Sequence, residues 1–368
     1  MTLHFEHLIS ADSHVMEPKG LWASTLMNRF GDNTPRIINE HLGKKGTFFY
    51  TGRQVLKVGQ TDQEAQKIGF QEAGYLPDIR VEFQKRVGVA AEILNATMML
   101  LIIQGRYNNV VRACASVFND WLGEFCSYDR KRLIGVAMIP MDDVDWATNE
   151  LERIAKLGHQ GAIINLIPPR GCAPYRDPIY DPFWARAQEM GLPITLHIIT
   201  GRTPDPLHFH TREEQGESPA TQIALMYEVM GVLANEFIFG QILDRFPRLK
   251  LVCSEFEISW IPSFMYRIDQ MQEDFGHRLD LPALEMRASD YMRERIWHGV
   301  IDDPFAAEAA LKIGVDRVMW GSDFPHVRSI GLDAQNRLSA MFESLSPEDT
   351  EQVVGATVRK VFPGLAPN

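Results

Sequence analysis

Four acidic or imidazole side chains stand at the ends of apolar runs, where they could bind one cation together. Asp12 and His14 close the first apolar run of the chain, and residues two apart in a strand point to the same side. His197 and Asp323 each close a later apolar run. Carboxylates and imidazoles are ligands that divalent metal ions accept in proteins. The spacing therefore predicts a metalloenzyme.

The elements that must position these residues follow a regular pattern. Apolar, strand-like runs alternate with amphipathic helical stretches, and no GxGxxG motif follows the first run. This pattern is typical of a parallel sheet covered on both faces, and eight such units favour a closed (β/α)8 TIM barrel over an open doubly wound sheet. After the N-terminal run, the predicted strands lie within residues 89–101, 133–140, 162–166, 192–197, 249–255, 295–301 and 317–323.

Two long segments interrupt the alternation of strands and helices. Residues 18–86 are rich in Gly, Asn, Lys and Gln, and residues 200–219 carry His208 and His210. An insertion after the first strand of a barrel lies over its catalytic mouth. We predict one barrel domain over residues 1–368, with residues 18–86 as an insertion or lid over the active-site mouth. His208 and His210 are predicted to be surface histidines, because the loop around them does not preorganise a metal site.

Composition limits the partners of the chain. The formal net charge is −11 and no long basic run offsets it, which argues against a nucleic-acid or anionic-membrane partner. The longest apolar run, residues 96–103, is shorter than the roughly 20 residues needed to span a bilayer. No signal peptide is evident, so we predict a cytoplasmic protein that acts on a small molecule. The prevalence of twofold dimers among oligomers favours a homodimer.

The barrel interpretation brings the chemistry-bearing residues to one place, because active groups of this fold lie at the carboxyl ends of the strands. Glu255 follows the sixth predicted strand and joins Asp12, His14, His197 and Asp323 there. Oxygen and nitrogen donors suit Zn²⁺, Mn²⁺ or Fe²⁺, and the absence of a thiolate argues against a closed structural zinc site. We predict one divalent ion and favour zinc.

The sequence resembles the amidohydrolase-related family that includes aminocarboxymuconate-semialdehyde decarboxylase and the resorcylate decarboxylases. Four matching segments carry the resemblance, in the same order and spread over nearly the whole chain: residues 12–18, 191–197, 245–250 and 320–326. The resemblance implies a barrel with one catalytic divalent ion. It further implies the ligands Asp12, His14, His197 and Asp323.

The chain departs from this family in two places. Relatives commonly place a catalytic histidine where this chain has Glu255, a carboxylate that could ligate the metal, act as acid or base, or form a salt bridge at the barrel rim. Glu257 competes with it for these roles. Asn165 stands near the place of the lysine that bridges two metals in other superfamily members, which favours one ion. His326 either orients or protonates the substrate or caps its loop.

Three functions remain open at this point. We favour hydrolysis of a small amide, ester, lactone or thioester by a metal-activated water, with Asp323 as base and Glu255 or His326 assisting the leaving group. The alternative is nonoxidative decarboxylation of an aromatic or unsaturated acid. The third is a barrel that binds a ligand without turnover. Phe256, Trp260 and Phe324 are expected to give the pocket apolar walls.

Overall fold

The computed structural model describes residues 7–52, 55–57, 70–201, 219–326 and 329–365. Its strands are as follows: β1 Leu8–His14, β2 Arg36–His41, β3 Lys44–Tyr50, β4 Val55–Lys57, β5 Val89–Asn95, β6 Leu133–Gly135, β7 Ala137–Ile139, β8 Ala162–Ile164, β9 Ile194–His197, β10 Leu251–Ser254, β11 Ile296–Val300 and β12 Val318–Trp320.

The helices lie between and after these strands. Their bounds are α1 Leu21–Phe30, α2 Pro77–Val87, α3 Met98–Ile102, α4 Asn108–Ser127, α5 Val144–Leu157, α6 Asp181–Met190, α7 Pro219–Val232, α8 Ile242–Arg245, α9 Ile261–Asp274, α10 Ala288–Glu294, α11 Ala306–Ile313, α12 Ala334–Met341, α13 Pro347–Glu351 and α14 Thr357–Val361. Among the described helices, none is long and apolar enough to cross a membrane.

Eight parallel strands form the predicted barrel. Hydrogen bonds join β1, β5 and β6 in one ladder and β7 through β12 in another; β6 and β7, which Val136 alone separates, count as one barrel strand, so the nine labelled strands make eight. The barrel closes between its last and first strands, where the backbone N–H of Asp323 donates to the carbonyl of Asp12 at 2.9 Å. The N–H of His14 likewise donates to the carbonyl of Phe324 at 2.7 Å. The (β/α)8 prediction is thus confirmed.

The barrel strands are buried on both faces, as the continuous apolar runs predict. Every residue of β1, β8, β9, β10, β11 and β12 is buried. Helices such as α6 cover the outside, where Phe183 and Trp184 are fully buried. The strands are shorter than predicted, and the last one ends at Trp320, so Asp323 lies in the turn beyond it.

The segment between β1 and β5 has its own secondary structure. It contains α1, the three-stranded antiparallel sheet of β2, β3 and β4, and α2. Helix α2 packs on the barrel through the buried side chains of Arg80, Val81, Phe83 and Gln84. The carboxyl-terminal part of this segment therefore supports the barrel wall, a use that the sequence did not predict.

Candidate metal centre

The six predicted site residues meet at the carboxyl end of the barrel. Asp12 and His14 lie in β1, His197 is the last residue of β9, and Glu255 follows β10. The ring Nε2 of His14 lies 3.2 Å from Oδ1 of Asp12, and Nε2 of His197 lies 3.6 Å from the same oxygen. Nε2 of His197 also lies 3.6 Å from Oε2 of Glu255. Side chains from three strands therefore converge on one point.

The residues form two overlapping groups of possible ligands. Asp12, His14, His197 and Glu255 each offer one atom within 4.8 Å of the others. The second group keeps His14 and Glu255 and adds the two residues from the last barrel loop, Asp323 and His326. Oδ1 of Asp323 lies 3.4 Å from Nε2 of His14. These six residues could hold a metal ion, and we call them the metal cluster.

Backbone conformation at the strand ends directs two of the acidic side chains into the cluster. Glu255 has φ 65° and Asp323 has φ 54°, both in the left-handed region that residues other than glycine seldom adopt. Next to Asp323, a Cβ atom on Gly321 would meet Cβ of Asp12 at 2.5 Å. Only glycine allows the end of β12 to approach β1 this closely.

Hydrogen bonds orient the cluster from outside. Nδ1 of His14 lies 2.6 Å from the carbonyl oxygen of Ala96, and Nδ1 of His197 lies 3.0 Å from that of Ile198. A ring that donates through Nδ1 keeps the lone pair of Nε2 for a metal ion. Asp12 accepts from the side-chain amide of Asn95 at 2.7 Å and from the hydroxyl of Ser254 at 2.9 Å. Asn95 and Ser254 end β5 and β10, and their polar character at strand ends is the signal that could have identified them.

His326 is held at the edge of the cluster between two partners. Its Nδ1 lies 2.7 Å from Oδ1 of Asp323, and its Nε2 lies 3.0 Å from the hydroxyl of Thr97. Its ring stacks on His14 with centroids 4.0 Å apart. Burial lowers the pKa of His326 to about 4. A neutral His326 fits a role in orienting Asp323 better than one as a proton donor.

The structure places several other candidates away from the cluster. The Glu257 carboxylate accepts from the backbone N–H groups of Ile301 and Asp302, at 3.0 and 3.3 Å. The Asn165 side chain likewise bonds the backbone of two neighbouring segments. The predicted loop histidines, His208 and His210, lie outside the described residues.

The expectation that three aromatic residues form apolar pocket walls was wrong. Phe324 is fully buried and stacks on Phe83, with ring centroids 3.9 Å apart. Phe256 belongs to the buried core, and the indole of Trp260 donates to the Phe256 carbonyl at 2.9 Å. The reason is that these rings pack in the interior, whereas the acidic side chains of the same two turns, Glu255 and Asp323, belong to the cluster.

The closely spaced carboxylates of the cluster favour the binding of positive charge. Burial opposes the charging of His197, but Asp12 outweighs it and raises the pKa of His197 to about 9. Burial, together with the neighbouring Asp323 carboxylate, raises the pKa of Glu255 to about 8. Burial also opposes ionisation of Asp12, yet His197 and His14 hold the pKa of Asp12 well below its usual range. Without a cation, therefore, protons must balance the crowded carboxylates.

The donor set fits a divalent ion. Nε2 of His14 and Nε2 of His197 are both buried and make no hydrogen bond, although each faces carboxylate oxygens. A buried polar atom without a hydrogen-bond partner lowers the stability of the fold, so its presence needs a structural reason. A cation ligated by both ring nitrogens and the adjacent carboxylates supplies one.

Metal binding is expected to release protons. At pH 7 the metal-free protein holds a proton on His197, one of the proposed ligands, because its pKa is raised to about 9. A metal ion displaces protons from its ligands, so its affinity rises as the pH rises from 6 to 9. Calorimetry of Mn²⁺ binding in buffers of different ionisation enthalpy measures the protons released.

The same pKa shifts predict the pH dependence of stability. Above about pH 6.5 the folded, metal-free protein keeps protons at His197 and Glu255 that the unfolded chain has lost, so its stability falls as the pH rises to about 9. Below that pH the lowered pKa values of the buried His326 and His298 act in the opposite direction. The increase in melting temperature caused by Mn²⁺ should therefore be larger at pH 8.5 than at pH 6. An increase that is equal or smaller at pH 8.5, with no proton release, contradicts both expectations.

A buried ion pair between Arg80 and Glu92 supports the strands next to the cluster. Nε of Arg80 in α2 donates to Oε2 of Glu92 in β5 at 2.5 Å, and both side chains are almost fully buried. Arg80 also donates to the carbonyl of His14 at 2.8 Å, and its guanidinium lies 4.7 Å from the ring centroid of Phe324. This one side chain thus ties helix α2 to β1, to β5 and to the turn after β12. Nothing in the sequence around Arg80 distinguishes it from a surface arginine.

Removing Arg80 should destabilise the protein strongly. In R80M the Glu92 carboxylate stays buried without its partner, and breaking such a pair typically costs about 3–5 kcal/mol. The matched control is R86M, on the exposed side of the same helix, which should change the stability by no more than about 0.5 kcal/mol. Urea unfolding of the metal-free variants gives both values. Equal stability of R80M and R86M would show that the pair contributes nothing.

The barrel and its cluster of imidazole and carboxylate groups are typical of barrel proteins that can bind a divalent ion at the strand ends. The family model described as amidohydrolase matches residues 9–364. The chain therefore belongs to the amidohydrolase family of enzymes, as the resemblance predicted.

Two curated relatives of this chain are decarboxylases by name. A γ-resorcylate decarboxylase from Rhizobium sp. (strain MTP-10005) is 29% identical over 220 residues, which is 56% of this chain and 64% of that enzyme. The match thus spans less than two thirds of its length. A 2-amino-3-carboxymuconate-6-semialdehyde decarboxylase from Dictyostelium discoideum is 24% identical over 298 residues, 79% of this chain and 77% of that protein.

Solved structures share the fold. An amidohydrolase from Mycobacterium avium subsp. paratuberculosis K-10 superposes with a TM-score of 0.78 at 18% identity, over 96% of this chain and 98% of that one. A dihydroxybenzoic acid decarboxylase from Polaromonas sp. JS666, solved with bound manganese and the inhibitor 2-nitroresorcinol, gives a TM-score of 0.70 at 21% identity. That match covers 98% of this chain and 97% of the Polaromonas enzyme.

Proposed function

We propose that the protein is a metal-dependent, nonoxidative decarboxylase of an aromatic or unsaturated carboxylic acid. The observation that carries the proposal is the similarity to curated relatives that are decarboxylases by name. Hydrolysis, which the sequence favoured, has support only from the name of the family. We therefore place decarboxylation first and keep hydrolysis as the alternative that the experiment must exclude.

One divalent ion would be held by Asp12, His14, His197 and Asp323, with Glu255 next to them. When bound, the ion would hold the substrate carboxylate and a neighbouring oxygen and would withdraw negative charge from the reacting carbon. The donor set is rich in oxygen, which suits manganese, and the Polaromonas decarboxylase contains manganese. These two points support manganese before the zinc that the sequence favoured.

Glu255 is the proposed proton donor. Decarboxylation breaks the bond between the carboxylate and its carbon, CO₂ leaves, and the electron pair left on that carbon takes a proton. An acid that is protonated at neutral pH and close to the ion suits this step. Burial raises the pKa of Glu255 to about 8, and its side chain is still 22% exposed, so it can reach substrate and regain a proton from solvent.

His326 and Thr97 would act as positioning residues. His326 lies between Asp323 and Thr97: a neutral ring that donates from Nδ1 to Asp323 would accept at Nε2 from the Thr97 hydroxyl. This chain of contacts would fix the Asp323 carboxylate toward the ion. Residues 18–86 remain our proposal for an insertion over the mouth, although α2 packs against the barrel. The protein would act as one domain on a small-molecule substrate.

The test is to incubate the Mn²⁺-loaded protein in D₂O with 2,6-dihydroxybenzoate and other ring-hydroxylated benzoates. We expect ¹³CO₂ from carboxyl-labelled acid and one deuterium at the carbon that lost it. The counter-test offers aryl esters and acyl thioesters in ¹⁸O-labelled water. Incorporation of ¹⁸O into those products, with no CO₂ from any acid, would replace decarboxylation by hydrolysis.

A further inference from the structure

Glu17 lies three residues beyond His14, and the proposed function assigns it no role. Its carboxylate accepts hydrogen bonds from three consecutive backbone N–H groups, those of Thr97, Met98 and Met99, at 3.3, 2.9 and 3.0 Å. Both carboxylate oxygens take part, and hydrogen bonds to an ionised acceptor are stronger than those between neutral groups. The side chain therefore fixes the backbone that follows β5.

The backbone that Glu17 holds is continuous with residues that orient the metal cluster. Each of residues 95–97, which we call the β5 end segment, contacts a different residue of the cluster. The contacts are the Asn95 amide with Oδ1 of Asp12 at 2.7 Å, the Ala96 carbonyl with Nδ1 of His14 at 2.6 Å and the Thr97 hydroxyl with Nε2 of His326 at 3.0 Å. A shift of this short segment would therefore move half of the cluster.

Glu17 is itself held in place by the residues before it. The N–H of Val15 donates to the carbonyl of Asn95 at 2.9 Å, and the N–H of Met16 donates to that of Gly74 at 2.8 Å. A Cβ atom on Gly74 would lie 2.7 Å from Cγ of Met16, so a larger residue there would displace the chain next to Glu17. The carboxylate thus starts from a fixed backbone and can act as an anchor for the β5 end segment.

Peptide groups, and not a cationic side chain, balance the carboxylate of Glu17. In the part of the chain that the structure describes, Glu17 forms no ion pair. Burial raises the pKa of Glu17, although the three backbone N–H groups favour its ionised form. Glutamine at this position would keep one acceptor oxygen but turn its NH₂ group toward a backbone N–H. E17Q therefore removes the anchor with little change in the shape of the side chain.

We propose that Glu17 is a positioning residue of the metal site, which holds the β5 end segment where it orients Asp12, His14 and His326. The inference rests on the metal cluster of the proposed function, but not on the reaction that the ion supports. The competing explanation is that Glu17 only stabilises the fold. The two roles differ in one measurable quantity, the affinity of the folded protein for the ion.

The experiment measures the affinity for Mn²⁺ by calorimetry and the melting temperature of the metal-free protein. Groups that orient metal ligands commonly contribute 10- to 100-fold to affinity, and Glu17 acts one contact further out, so E17Q should bind Mn²⁺ about tenfold more weakly. The matched control is D269N. Asp269 also accepts from a backbone N–H, that of Ser289 at 2.8 Å, but it lies in α9 outside the metal cluster. D269N should lower the melting temperature and leave the affinity unchanged.

A double-variant cycle tests the path from Glu17 to the cluster. T97V removes the hydroxyl that contacts His326 but keeps the backbone N–H that Glu17 binds. If Glu17 acts through the β5 end segment, the two changes share one path, and E17Q/T97V should lose less affinity than the product of the two single losses. Circular dichroism checks that each variant is folded. Should E17Q not fold, E17D keeps the charge on a shorter side chain and should still lose affinity severalfold.

Three results would overturn the inference. They are an affinity that stays unchanged in the folded variant of Glu17, an equal loss of affinity in D269N at an equal fall in melting temperature, and losses in E17Q and T97V that multiply in full. If the unchanged protein binds no Mn²⁺, the metal site and this inference are both wrong. Because the measurement needs no turnover, Mn²⁺ binding without CO₂ release would contradict decarboxylation alone.

Discussion

Replacing His197 by alanine should abolish stoichiometric Mn²⁺ binding and, with it, decarboxylation. Disturbing only the partners of a metal ligand commonly costs 10- to 100-fold in affinity, so losing a proposed ligand should cost more than about 100-fold. Nε2 of His197 is buried and lies 3.6 Å from Oδ1 of Asp12 and 3.6 Å from Oε2 of Glu255. Metal analysis after dialysis and calorimetry measure the loss.

The matched control is H277A, because His277 is exposed and lies outside the metal cluster. It should bind Mn²⁺ like the unchanged protein. If H197A retains the ion with wild-type affinity, His197 is not a ligand, and the group of Asp12, His14, His197 and Glu255 is not the metal site. Folding of H197A is checked by circular dichroism, so that a lost metal is not confused with a lost fold.

Replacing Glu255 by glutamine should lower kcat by about 10²- to 10⁴-fold while the metal stays bound, because a general acid contributes a factor of this size. Glutamine keeps the shape of the side chain but carries no acidic proton. The ion should remain, since Asp12, His14, His197 and Asp323 are untouched. Activity and metal content of E255Q are measured in the same preparation.

The chain offers a close control in E257Q. Glu257 lies two residues further along the same turn and binds the backbone N–H groups of Ile301 and Asp302, so E257Q should keep most of its kcat. E255H, which restores the histidine typical of the relatives, should recover part of the activity. Loss of the ion from E255Q would instead make Glu255 a ligand and remove it as the acid.

The pH profile gives a second measure of the same role. An acid works only while it is protonated, so kcat should fall as the pH rises through the pKa of Glu255. That pKa is about 8 in the absence of an ion, and a bound cation can only lower it. The fall should therefore begin at or below about pH 8, and E255Q should not show it. A profile that is flat through pH 9 would exclude Glu255 as the donor.

The sequence alone predicted the barrel from local patterns, and strand ends together with the family resemblance predicted all six residues of the cluster. Apolar runs and helical spacing predicted eight strands, and the structure has them, with shorter bounds. Parallel strands in a barrel end on the same side, so polar residues at strand ends such as Asp12 and His197 had to meet once the fold was recognised. The separation of these residues along the sequence did not matter for that prediction.

Only the tertiary structure decided how side chains beyond the strand ends take part. Asp323 and Glu255 reach the cluster through left-handed turns, which the identity of an aspartate or glutamate does not predict. The same turns bury Phe324, whose aromatic ring had suggested a pocket wall. Arg80 reaches beneath the cluster from an inserted segment, and Glu17 holds the β5 end segment through backbone N–H groups. Such contacts join residues far apart in the chain, and local periodicity carries no information about which of them will touch.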